Sequence, residues 1–310
     1  MDLDATLTKL LRDTLLPAPA STDRISGLGM DNALLRATLT DGRQVLLRQG
    51  AASPSPLPRA RFLAHHDVGA PRMWAADDNG ASLVDYVPGQ TLVAVAESGA
   101  LDDATWRQVG RAYARVHAVR FPAPLCGPFE PDGLRLAPAD PVQTLQHGVD
   151  EAAAWVERER PALAPLLDVL RGRIEERAEA LRREVPCLSQ NDANFHNIIV
   201  GDDGVTLIDW DFPAVRYPLE ELAGLEGHAH LYGFPELPPA FFEGYGLPVS
   251  PPLLRLHRIV GDLGTLSSPG WAHMISGADD LTPPILAMVR RFYSGWSAWF
   301  DDLPTHIQGT

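Results

Sequence analysis

Leu3, Leu7, Leu10, Leu11 and Leu15 recur at the spacing of one helix face, which predicts an amphipathic helix over residues 3–16, ended by Pro17, Pro19 and Ser21. The pattern then changes period. Residues 33–39 and 44–48 are apolar-rich runs flanking Asp41-Gly42, which predicts two strands joined by a turn, with a glycine-containing loop over 25–32 before the first. The Pro-, Ser- and Ala-rich stretch 51–58 reads as a loop, 59–68 as a short helix stopped by Gly69 and Pro71, and 82–87 as a third strand broken by Pro88-Gly89. Beyond this point the periodicity is mainly helical. Residues 102–119 are amphipathic, 141–184 hold two helical stretches, and the region from 218 onward carries helices separated by Pro238-Pro239, Pro251-Pro252 and Pro283-Pro284. One hairpin interrupts the helical part: Ile198-Ile199-Val200 and residues 205–208 flank the turn Gly201-Asp202-Asp203-Gly204. With no internal repeat, the organisation is a β-rich front lobe over 1–84, a hinge over 85–90 and a helical lobe over 91–310.

Charge and residue usage narrow the chemistry. A net charge of −14 disfavours nucleic acid, which needs a basic surface. No apolar run reaches the length of a membrane span. The acidic start Met1-Asp2-Leu3-Asp4 is unlike a secretory signal, and Cys126 and Cys187 imply no disulfide framework, so a cytoplasmic location is expected. Lys9 is the sole lysine, which removes the Walker A loop and leaves no apt Schiff-base lysine. His65-His66 and His228-Ala229-His230 lack zinc-ligand spacing, and no G-x-S-x-G element marks a serine hydrolase.

The strongest chemical signal lies around the predicted hairpin. Asp192 and Asn197 precede it and Asp209 follows it, so a hairpin brings Asn197 and Asp209, at its open ends, close together. One carboxylate can orient a hydroxyl, while the amide and the other carboxylate can hold Mg²⁺ on a nucleoside triphosphate.

The same residues carry a resemblance. Asn191-Asp192-Ala193-Asn194-Phe195-His196-Asn197-Ile198-Ile199 resembles the catalytic loop of the aminoglycoside phosphotransferase and choline kinase-like family, within the protein kinase-like superfamily. Ile208-Asp209-Trp210-Asp211 resembles the family's metal-binding segment, and Glu221-Leu222-Ala223 its later Asp-Leu-Ala. Upstream, 84–92 resembles the stretch that ends the nucleotide lobe, and Gly110 to His117 the helix that closes on a histidine. The resemblance implies an α+β, bilobal kinase-like fold, with a small antiparallel N-lobe sheet and a large helical C-lobe. It implies transfer of the γ-phosphoryl group of ATP or GTP, with Mg²⁺, to a hydroxyl of a small acceptor such as an aminoglycoside or amino alcohol.

By the same resemblance, Asp192 accepts or orients the acceptor's proton, and Asn197 and Asp209 ligate Mg²⁺. Gly27, Gly29 and Asn32 belong to the loop over the triphosphate, Arg48 takes the place of the phosphate-binding lysine, and Asp85, Tyr86 and Val87 read the base through backbone groups. Asp211 stays open among an extra metal ligand, a substrate contact and a solvated acid.

Two departures stand out. Gln190 occupies the place of a structural histidine, and no glutamate lies between Arg48 and Glu97 to hold the arginine, Asp67 being the first acid after it. These departures keep open a nucleotide-binding pseudokinase and a small-molecule binding protein without phosphotransfer. For the acceptor pocket, the acids beyond residue 220 together with Trp271, Tyr293, Trp296 and Trp299 suggest an amine-binding surface, against solvated acids and core aromatics.

Overall fold

The computed structural model describes residues 2–25, 33–50, 56–277 and 281–310. Its front half is built on the helix α1 (Leu3–Asp13) and the strands β1 (Pro19–Ile25), β2 (Ala33–Leu39) and β3 (Gln44–Gln49). Then come α2 (Leu57–His65), β4 (Met73–Ala76) and β5 (Ala81–Asp85). The strands form one antiparallel sheet in the order β1-β2-β3-β5-β4. Leu35, Ala37 and Leu39 on β2 alternate with more exposed neighbours, as do Val45 and Leu47 on β3, so one sheet face is apolar. α1 covers that face with Leu3, Leu7, Leu10 and Leu11. Asp2 caps α1 by accepting hydrogen bonds from the Asp4 and Ala5 N–H groups at 3.1 and 3.2 Å.

Two local expectations fail here. The helix stops at Asp13, and Leu15 is 92% exposed at φ 58°, so it is not part of the apolar stripe. The Thr14 hydroxyl donates to the Leu10 carbonyl at 2.8 Å, and Leu16 takes the inward place against the sheet. β1 lies partly where a loop was expected. Its side chains are mostly exposed because it is an edge strand, so no apolar alternation betrays it.

The second lobe starts with β6 (Gln90–Thr91), α3 (Leu92–Glu97) and α4 (Asp103–His117). It continues through β7 (Leu125–Glu130), β8 (Gly133–Leu134), β9 (Ala137–Pro138), α5 (Pro141–Glu159), α6 (Ala164–Glu176) and α7 (Ala178–Leu181). β10 (Cys187–Ser189) leads to a 3-10 turn at Phe195–Asn197, then to β11 (Ile198–Gly201), β12 (Gly204–Leu207) and β13 (Ala214–Arg216). The helices α8 (Pro218–Leu231), α9 (Pro239–Tyr245), α10 (Pro251–Ser267), α11 (Pro269–Ser276), α12 (Pro283–Phe300) and α13 (Leu303–Gln308) complete the lobe. Prolines at the first helical positions of α9, α10 and α12 start these helices, because the N–H they lack has no partner there.

The expected hairpin is present as β11 and β12, with Ile198 opposite Leu207. β6 adds a third strand to it, pairing Gln90 with Val200. Gly89 makes that docking sterically feasible: at φ 140° a Cβ would lie 2.4 Å from the Val200 carbonyl oxygen. A further sheet, β10-β13-β7-β8 with β9 beside β7, was not expected from the sequence. Its strands span two to six residues and include Pro128 and Pro138, too short and interrupted to show a period.

The C-lobe core surrounds Trp106, Tyr113, Phe195 and Phe241. Trp106 meets Phe195 edge-on, with centroids 5.9 Å apart, which fastens the turn before β11 to α4. α9 crosses α4 closely because Gly110 has no side chain: a Cβ would lie 2.2 Å from the Phe241 carbonyl oxygen. Among the described residues no helix is long and apolar enough to cross a membrane.

Candidate active site

The chain leaves β10 at Ser189 and turns sharply. Asn191 adopts φ 66°, a left-handed conformation that asparagine tolerates better than most residues. Its N–H donates to Glu221 Oε1 at 2.7 Å and to Ser189 Oγ at 3.0 Å, and its Nδ2 donates to the Phe212 carbonyl at 3.0 Å. Glu221 Oε2 in turn lies 2.7 Å from His117 Nε2, and His117 Nδ1 lies 2.7 Å from the Tyr245 hydroxyl. All are satisfied when Nε2 carries the proton and Nδ1 accepts from tyrosine. The close α4–α9 crossing is what lets Tyr245 reach this histidine.

This buried relay turns Asp192 outward to solvent. Its Oδ1 accepts from Asn194 Nδ2 at 2.7 Å and its Oδ2 from Asn197 Nδ2 at 2.6 Å. The two amides set the plane of the carboxylate. Because Asn197 spends its Nδ2 on Asp192, its amide oxygen stays free for a cation. Gln190, in the place of the expected histidine, donates Nε2 to the carbonyls of Ile208 and Asp209 at 2.8 and 3.2 Å, so it braces the segment that carries Asp209. The Asn197 carbonyl accepts from the Ile208 N–H at 2.9 Å, which joins the two ends of the hairpin.

Arg48 reaches across from β3. Its Nη2 lies 2.9 Å from Asp209 Oδ1 and 2.8 Å from Asp211 Oδ2, and its Nη1 lies 3.3 Å from Asp211 Oδ1. The missing glutamate is thereby explained: the arginine is held by Asp209 and Asp211, and Asp67 takes no part. Asp211 is a cation clamp between two arginines. Arg59 of α2, which the sequence reading missed, donates to the Asp211 carbonyl and lies 3.2 Å from Asp211 Oδ1. No sequence signal marks Arg59, since a helix with a cation where an acid is expected matches no pattern. Burial works against the charge on Arg48, but Asp211 and Asp209 outweigh it and raise its affinity for the proton. Burial pushes the Asp209 carboxyl up, with Arg48 opposing and Asp211 reinforcing.

The donor set suits Mg²⁺. Asp209 and Asn197 offer hard oxygens, and Mg²⁺ commonly takes one or two protein ligands and fills the rest with phosphate and water. Accordingly, among the described residues no group of three or more His, Cys, Asp or Glu forms a self-contained metal cage.

The expected base-reading segment is partly committed. The Asp85 N–H donates to the Arg72 carbonyl at 2.9 Å and the Tyr86 N–H to the Gln44 carbonyl at 3.1 Å. The Asp85 carboxylate accepts from Trp74 Nε1 at 2.7 Å. Among these three residues, only the Val87 N–H is without a protein partner among the described residues. Gly27, Gly29 and Asn32 lie outside the described residues.

The C-terminal acids and aromatics follow the second of the two readings, acids engaged in ion pairs and aromatics in the core. Glu221 serves the His117 relay, Glu236 pairs with Arg255, Glu243 with Arg107, Asp262 with Arg258 and Asp301 with Arg160. Trp296 and Trp299 are buried, Trp296 against Trp271 and Trp299 stacked on His306. Asp279 and Asp280 lie outside the described residues. His228 is enclosed between Phe292 and Trp296, and burial lowers its pKa to about 3. Its neutral form contributes stability that is complete above pH 6.5 and is lost as pH falls toward about 3. The expected result in ring ¹⁵N spectra is a neutral His228 at pH 5, where an exposed histidine is protonated.

A small antiparallel sheet over a helical lobe, with a carboxylate, an amide and a second carboxylate around one hairpin, is the arrangement of a kinase-like phosphotransferase. The chain belongs to the phosphotransferase enzyme family, whose description matches residues 29–256. Solved structures share the fold. A choline/ethanolamine kinase family protein from Mesorhizobium loti is 15% identical, covers 100% of this chain and 99% of its own, and has a TM-score of 0.66. Choline kinase from Cryptosporidium parvum Iowa II is 11% identical over 98% of both chains, with a TM-score of 0.59. ADP-bound aminoglycoside phosphotransferase APH(2'')-Ib is 15% identical, covers 96% of this chain and 99% of its own, and has a TM-score of 0.55. No protein of curated function matches the chain.

Proposed function

We propose that this protein is a Mg²⁺-dependent small-molecule kinase that moves the γ-phosphoryl group of ATP or GTP to a hydroxyl of an amine-bearing acceptor such as an aminoglycoside or amino alcohol. The observation that carries this reading is the 2.6 Å contact between Asp192 and Asn197 beside the Arg48–Asp209–Asp211 cluster. The names of the similar structures, choline/ethanolamine kinase and aminoglycoside phosphotransferase, support the acceptor class. Residues 1–84 act as the nucleotide lobe, 85–90 as the hinge and 91–310 as the acceptor lobe.

Asp192 holds the acceptor hydroxyl in line with the γ-phosphorus and takes its proton, its two oxygens already aimed by Asn194 and Asn197. Asn197 and Asp209 are the residues that would hold Mg²⁺, which would neutralise phosphate charge there. Arg48 exchanges its carboxylate partners for phosphate oxygens, which its planar fork suits. The Val87 N–H is the donor available to the base edge.

Two measurements test this. Arg48→Lys loses the fork, and calorimetry with ATP and Mg²⁺ is expected to show affinity weakened by about tenfold, the scale of one charge-assisted hydrogen bond. A phosphotransfer screen of ATP and GTP against aminoglycosides, macrolides, amino alcohols and sugars is expected to yield one phosphorylated amine-bearing product. Nucleotide binding with no transfer to any acceptor overturns the proposal in favour of a pseudokinase.

A further inference from the structure

A cavity of about 220 Å³ opens where α8, α9 and α10 meet, and Asp192, Asn197 and Asp209 do not line it. Its wall is apolar at Phe242, Leu247, Val249 and Leu254 and charged at Glu236 and Arg255. Glu226 of α8 also lines it, with 7% of its surface exposed. Glu226 Oε2 accepts from the Leu237 N–H at 3.2 Å, while Oε1 has no protein partner among the described residues. Oε1 is not fully enclosed, so it opens toward the cavity.

Two cations stand near Glu226 and oppose the effect of burial on its carboxyl, Arg258, whose Nη1 and Nη2 have no hydrogen-bond partner among the described residues, and Arg255, which also lines the cavity. Arg258 donates Nε to Asp262 at 2.9 Å, and Arg255 pairs with Glu236 at the cavity's edge. Neither guanidinium donates to Glu226. Burial pushes the Glu226 carboxyl above its ordinary value, a penalty that a cation at Oε1 relieves. A metal ion does not fit, since one free carboxylate oxygen among walls that are mostly aliphatic and aromatic cannot satisfy Ca²⁺ or Mg²⁺. The volume is below the roughly 300–1,000 Å³ of drug-sized sites, which sets the ligand at fragment size.

We propose that this cavity is a binding site for a small organic cation, an ammonium group on Glu226 Oε1 with its apolar body against Phe242, Leu247 and Leu254. The site is independent of the phosphotransfer reading. The test is titration of the full chain with benzylamine at pH 7, followed by calorimetry and ligand-observed NMR, with benzyl alcohol as the uncharged control. Glu226→Gln keeps an acceptor for the Leu237 N–H, and Leu247→Trp fills the recess. Benzylamine is expected to bind wild type and Asp192→Ala alike, and about tenfold more weakly to both cavity variants. Benzyl alcohol is expected to bind more weakly than the amine. Thermal melts check that each variant is folded, and should Glu226→Gln not fold, Leu247→Trp carries the comparison. No binding to wild type at millimolar amine overturns the proposal. So does unchanged binding in the folded cavity variants, or loss of binding in Asp192→Ala, which would put the ligand in the catalytic cleft.

Discussion

Asp192→Ala is expected to lower kcat by about 10²–10⁴-fold, the usual contribution of a positioned general base, with the melting temperature within a degree or so of wild type. The two halves of that outcome have separate causes. Asp192 is solvent-exposed, so truncating it removes little packing. Its oxygens are held by Asn194 and Asn197, which bring the carboxylate to one orientation beside the Arg48–Asp209–Asp211 cluster. Without it, nucleotide can still meet Arg48 and the carboxylates, so the ATP dissociation constant should stay close to wild type. Steady-state kinetics with the acceptor found in the screen, alongside calorimetry with ATP, separate the effects. Activity near wild type in this variant would remove Asp192 from the chemistry.

Glu221→Ala has the largest expected effect on stability. Glu221 and His117 have side chains 1% and 0% exposed, and their contact closes a chain that runs from Asn191 through Glu221 and His117 to Tyr245. Removing the carboxylate strands a buried imidazole N–H and leaves the Asn191 N–H with Ser189 alone. Leaving a buried donor without its acceptor costs about 1–3 kcal/mol. Urea unfolding at pH 7 should therefore show a clearly lower midpoint. Because Asn191 is held at φ 66° by this carboxylate, Asp192 loses its placement too, and kcat should fall even under conditions where the variant is folded. A stability change below about 1 kcal/mol would mean that the relay is not a structural support. The variant also separates positioning from chemistry, since the Glu221 side chain is buried and reaches the loop through Asn191.

Much of the site was legible because its parts are close in sequence. Asp192, Asn197 and Asp209 belong to one loop–hairpin unit, and strand pairing forces Asn197 and Asp209 together once β11 and β12 form. Gln190 was recognisable as a substitute for a histidine, and its bonds to the Ile208 and Asp209 carbonyls supply the reason glutamine serves there. The partner of Arg48 was not legible. It comes from residues 161 and 163 positions away, across the cleft, and no local pattern encodes that distance. Arg59 was invisible for the same reason. The choice between an amine surface and ordinary surface acids was open because acidic composition carries no information about pairing: Glu236, Glu243, Asp262 and Asp301 each face an arginine.

In the fold, periodicity located α1, β2, β3 and α4, because each buries one apolar face at a regular interval, and apolar runs bounded by turn residues located β5 and the β11–β12 hairpin. It missed β1, whose side chains face solvent, and the short strands of the second sheet, whose pairing rests on backbone hydrogen bonds rather than on a side-chain pattern. The amino-acid sequence alone determined the lobed layout, the family and the local cluster of Asp192, Asn197 and Asp209, since short-range periodicity and spacing carry that information. Only the tertiary structure decided which cation meets which acid, that Glu221 and Tyr245 brace the loop through His117, and that Glu226 faces a largely apolar recess. Those are contacts between surfaces distant along the chain, and their energies depend on burial and mutual approach, which exist only once the helices and sheets have packed.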